Sequence, residues 1–108
     1  ARTYSPIVTV TDAACISVNM ALGNNFLVTL AGNRTLKKPV NCTVGQGGNI
    51  YLVQDGTGSR TLSYNTVWQF VSASVPTLST GAADVDMLVY NARSSATVDA
   101  VLLQNFDR

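Results

Sequence analysis

Turn signals recur about every ten residues along this chain, and no stretch between them carries the 3.6-residue apolar period of a helix. Glu is absent, and Thr and Val dominate the ordered segments. Their branched side chains are stiff and suit a pleated surface. Residues 7–11 alternate, as do residues 15–20, where Cys and Ser fall on one parity and Ile, Val and Met on the other. In residues 26–30, Phe26, Val28 and Leu30 share one face against Leu27 and Thr29. A short strand is expected around residues 35–37, ended by Pro39. Gly45-Gln46-Gly47-Gly48 breaks the chain before residues 49–54, and Asp55-Gly56 reads as a hairpin turn that lets residues 60–63 pair back. Strands follow at residues 68–71, 87–91 and 97–103, with residues 76–80 extended. The last two strands carry continuous Leu, Val and Ala, a composition that suits strands covered on both faces.

About eight short strands with regular turns predict an all-β chain. The expected arrangement is an antiparallel β-sandwich, jelly-roll-like, with a closed barrel as the alternative. Its 108 residues make one domain, large enough to hide roughly two-thirds of its unfolded surface without a metal or a disulfide. The expected division is an extended arm over residues 1–7 and a sandwich over residues 8–108. Ala1, which fits removal of an initiator Met, points to a complete chain.

Charged residues form only 12% of the chain, about half the usual share. A surface of Thr, Ser, Asn, Gln and Gly instead points to burial of part of it against other subunits, or to a stable extracellular β-domain. Seven basic and six acidic residues are scattered singly, and Lys37-Lys38 is the only basic pair. That excludes the clustered positive footprint of nucleic-acid binding. No apolar run approaches the roughly 20 residues of a membrane span. Cys15 and Cys42 lack metal-ligand spacing and read as two small core residues, with a disulfide as the lesser alternative.

The chain has no His and no Glu, so the commonest general base and metal ligand is missing and every carboxylate is an Asp. A Cys nucleophile has no base to activate it, and both Lys residues lie beside Pro39 in a turn. No enzyme activity, cofactor or metal is expected. Asp84 and Asp86 share one strand face, and Asp55 opens the Gly-rich loop Asp55-Gly56-Thr57-Gly58-Ser59. Calcium would need six to eight oxygen ligands at such a place. Turn formation, amide satisfaction or pairing with Arg60 or Arg93 explains these carboxylates better. Tyr64, Trp68 and Phe70 would make a sugar-stacking platform if exposed. The shared parity of Trp68 and Phe70 places them in the core instead. Arg34, Arg60 and Arg93 each lie beside Thr or Ser at a strand edge or turn, either solvated or acting as the forked anchors that interfaces favour.

Residues 45–80 read GQGGNIYLVQDGTGSRTLSYNTVWQFVSASVPTLST. A Gly-rich lead, a strand ending in Gln-Asp, Gly-Ser-Arg-Thr-Leu, an aromatic stretch and Pro-Thr-Leu-Ser-Thr occur here in that order. Asn33-Arg34-Thr35-Leu36 and Pro39 precede the series, and Ala83-Asp84-Val85-Asp86-Met87-Leu88 follows it. The ordered series resembles a module of tailed-phage virions found in tail-fibre, spike and capsid-decoration proteins, and the likeness covers residues 26–106. The resemblance implies a decoration, or cement, protein on the outer surface of a capsid, assembled in the host cytoplasm. It would bridge subunits of the major capsid protein as a homodimer or homotrimer. The alternative is a receptor- or carbohydrate-binding module of a tail fibre or spike, and a bacterial adhesin or lectin-like domain is a third reading. Arg2 and Tyr4 on the arm, with Arg34, Arg60 and Arg93, are the expected contacts to capsid or neighbouring subunit. The sequons at Asn33 and Asn41 are read as chance.

Overall fold

A computed structural model describes residues 6–106. Nine strands account for the ordered backbone: β1 (Ile7–Thr9), β2 (Cys15–Ile16), β3 (Asn25–Leu30), β4 (Arg34–Leu36), β5 (Gly47–Gln54), β6 (Leu62–Tyr64), β7 (Trp68–Phe70), β8 (Val85–Ser94) and β9 (Thr97–Leu103). The one helical element among the described residues is a single 3-10 turn, Val71–Ala73. The chain is therefore all-β, as the missing helical period requires. No helix among the described residues is long and apolar enough to cross a membrane. β1 opens at Ile7, within the stretch expected to be an arm.

The pairing differs from expectation. A six-stranded sheet runs β1-β3-β5-β8-β9-β7, and a three-stranded sheet runs β2-β4-β6. Five ladders are parallel, and only β5–β8 and β8–β9 are antiparallel. The sheets are thus mixed, and the antiparallel jelly-roll sandwich is not formed. The first six strands alternate between the two sheets, so each turn of the chain lays a new strand parallel to the one before it. Asp55-Gly56 does not close a hairpin. The segment after Asp55 carries the chain from the large sheet to the small one, where β6 joins β4 rather than returning to β5. Alternation along a strand specifies which face is buried but not which strand lies alongside, which is why parity was readable and pairing was not.

Parity holds throughout. Phe26, Val28 and Leu30 are buried on β3, Ile50 and Leu52 on β5, and Leu88, Tyr90 and Ala92 on β8. Ile16, Leu36 and Leu62 from the small sheet join them in one hydrophobic cluster with Trp68, Leu78 and Val98. Gly47 and Gly48, which read as a chain break, instead begin β5. At Gly48 a Cβ would lie 2.0 Å from the Asn24 carbonyl oxygen, so the residue permits the backbone approach that seats β5 beside β3.

The cysteine reading is corrected in part. Cys15 is exposed and Cys42 half-buried, and both are free thiols. Cys15 alternates with Ile16 and Val18, which hold the core face, so it falls on the solvent side with Ser17.

Candidate interaction surface

Each of the three described arginines grips a carboxylate of its own chain with two prongs. On β4, Arg34 donates from Nε and Nη2 to the two oxygens of Asp12, both at 2.8 Å. Asp12 also accepts the Ala31 amide. Arg60 donates from Nε and Nη2 to Asp55 at 3.2 and 2.8 Å, and Asp55 further accepts the Thr57 and Gly58 amides. The Arg60 guanidinium, helped by those amides, holds the Asp55 carboxyl down at about 2. Arg93 on β8 reaches across to Asp99 on β9 at 2.9 and 2.7 Å, in the most exposed pair of the three.

The structure brings Arg34 and Arg60 together. The Arg34 amide donates to the Thr61 carbonyl, Asn33 Oδ1 accepts the Thr61 amide, and the Arg34–Asp12 pair lies close enough to act on the Arg60 guanidinium. Arg93 stands apart from them, on the outer face of the large sheet. Arg2 and Tyr4 lie outside the described residues.

Among the described residues the remaining carboxylates, Asp84 and Asp86, hold loops. Buried Asp86 accepts the Ser79 amide at 2.7 Å and the Asn105 amide at 2.9 Å, tying two distant segments to β8. Asp84 accepts the Gly81 amide at 2.8 Å. Asp84 and Asp86 thus satisfy loop amides, while Arg60 and Arg93 pair with Asp55 and Asp99. Trp68, Tyr64 and Phe70 pack in or against the core. Trp68 is buried, donates its indole N–H to the Lys37 carbonyl at 3.0 Å and meets Tyr90 edge-on. Tyr64 and Phe70 contact each other edge-on at 4.7 Å. Burial lifts the Tyr90 hydroxyl to about 12, and that hydroxyl donates to the Asn24 carbonyl.

The surface that remains is the outer face of the six-stranded sheet. Across it, Thr9, Leu27, Tyr51, Met87 and Leu103 stand side by side in register on five strands. The neighbouring rows place Val89 beside Val101, with Asn49 and Asn25 continuing that row, and Val53 beside Val85. Val89, Val101 and Leu103 are 36, 47 and 43% exposed, values high for large apolar side chains set in one sheet. Continuous apolar runs in β8 and β9 had predicted cover on both faces. Among the described residues the inner face is buried, whereas the outer face stays half-buried to exposed. A hollow of about 490 Å³ adjoins the apolar rows, with Gln69, Asn91, Arg93 and Asp99 among its walls. By contrast, the outer face of the small sheet carries the row Cys15, Thr35 and Ser63.

No protein-family model, no curated protein and no solved structure matches this chain.

Proposed function

We propose that the protein is a non-catalytic virion component, a decoration protein that binds the outside of a phage capsid and stabilises it by bridging subunits of the major capsid protein. The observation that carries this reading is the register-aligned outer sheet face, whose Leu, Val and Met side chains stay half-buried or exposed, on a chain whose described arginines are each already paired with an Asp. Such a molecule offers surface rather than reactive groups. The phage-virion resemblance of residues 26–106 supports the same reading. In this proposal copies of the chain associate with one another. Arg2, Tyr4, Arg34, Arg60 and Arg93 contact the capsid or a neighbouring copy, the guanidinium groups of Arg34, Arg60 and Arg93 keeping donors beyond their Asp pairs.

A decoration protein works by mass action: what binds only the assembled shell raises the cost of separating its subunits. Deleting the gene, or stripping the protein from purified particles, should lower the temperature at which heads release DNA, and adding the protein back should restore it. Heads that keep their genome equally well without the protein would overturn the reading.

The hollow beside Arg93 and Asp99 favours one second reading. A carboxylate, a guanidinium and two amides next to valines are groups that recognise a sugar by its hydroxyls and its apolar face. Loss of host adsorption with unchanged DNA retention would transfer the assignment to this receptor- or carbohydrate-binding role on a tail fibre or spike.

A further inference from the structure

We propose that the outer face of the six-stranded sheet is where a second copy of this chain docks, face to face about a twofold axis, with Leu27, Tyr51, Met87, Val89, Val101 and Leu103 at the centre. The inference rests on the reading that copies of the chain associate, and it names the surface through which they do so.

Three observations select a second copy as the occupant. The first is charge. On the outward positions of β3, β5, β8 and β9 the only charged groups are Arg93 and Asp99, which already neutralise each other. The face therefore asks for no countercharge, and two identical faces meet without repulsion. The second is shape. The two sheets are the same sheet, with the same right-handed twist, and equally twisted sheets nest face to face at about −30° with about 10 Å between them. The third is area. Six strands about 4.8 Å apart, with rows about 6.8 Å apart, make a face on the order of 600 Å² before side-chain relief. That approaches the roughly 800 Å² per partner that a standard interface buries.

The small sheet supplies the internal contrast. Its outward row Cys15, Thr35 and Ser63 has the polar character of a sheet face that meets water. The large sheet's outward positions also carry Thr9, Asn25, Asn49 and Asn91, but its Leu27-Tyr51-Met87-Leu103 row has no apolar counterpart on the small sheet.

The test is sedimentation of the purified full chain from micromolar to sub-millimolar concentration, for the wild type and for Val89→Asp, Val101→Asp and Ser63→Asp. All three substitutions lie at exposed strand positions, and circular dichroism verifies that each variant keeps the β fold. The wild type should sediment as a species of twice the 11.4 kDa chain mass. Val89→Asp and Val101→Asp should each raise the dissociation constant about 30-fold or more, because each would bury an unpaired carboxylate at the interface centre. Ser63→Asp should leave it unchanged. An oligomer that survives both valine substitutions, or a trimer, would overturn this face and leave self-association standing. A wild type that stays monomeric throughout would overturn self-association as well. Head binding is measured separately, so a dimer that fails to bind capsids would refute the capsid reading and leave the docking face intact.

Discussion

Trp68 ties three parts of the molecule together: it fills the core, meets Tyr90 edge-on and donates to the Lys37 carbonyl. Trp68→Ala should cost about 3–5 kcal/mol in urea denaturation, from lost burial and the cavity left behind. Asp86 has a different role. Its two oxygens are the acceptors for the Ser79 and Asn105 amides in a buried place. Asp86→Ala leaves two donors unpaired, at roughly 1–3 kcal/mol each, and should speed hydrogen exchange at those two amides before the rest of the sheet. Asp55 sets a pH dependence. Its carboxyl is lowered from 3.8 to about 2, chiefly by Arg60, so the folded state binds that proton less readily than the unfolded chain does. The resulting stabilisation is fully present above the unfolded value and is lost as pH falls through about 2. Asp55→Asn should therefore flatten the stability profile between pH 4 and about 2, as followed by thermal unfolding across that range.

Strands illustrate what could be read from residues alone and what could not. The alternation Phe26, Val28, Leu30 named the buried face of β3 correctly, because a two-residue period is a property of one strand. Pairing is a property of two strands. Asp55-Gly56 has hairpin chemistry, yet Asp55 turns inward to Arg60 and the Thr57 and Gly58 amides, and the chain crosses to the other sheet. Likewise, Arg34, Arg60 and Arg93 could be singled out by residue type, but their partners lie across loops and strands that only the fold assembles. The apolar runs of β8 and β9 were legible, but their reading as strands covered on both faces did not anticipate that Val89, Val101 and Leu103 stay exposed. Gly48 offers a test at this scale. A side chain there must push β5 away from the Asn24 carbonyl, so Gly48→Ala should destabilise by about 1–3 kcal/mol, with strand exchange protection lost first in β3 and β5.

The whole molecule combines a broad sheet face whose only charges are the paired Arg93 and Asp99 with a net charge of only +1, and the consequence is a particular response to salt. Exposed ion pairs are screened over about 10 Å at 0.1 M salt, whereas apolar contact is not weakened by screening. Among the described residues each of the three arginines is already forked onto an Asp, and the row Leu27, Tyr51, Met87 and Leu103 carries no charge. Association that uses this surface should therefore persist when salt rises severalfold, and the apparent dissociation constant should change less than about threefold. Sedimentation of the pure protein and retention on purified heads, each followed across a salt series, measure the two contacts independently. A steep fall in the first would mean that charge, not the apolar face, joins the copies. A steep fall in the second alone would place the arginines at the capsid contact, with their forks opened to reach acidic groups on the shell.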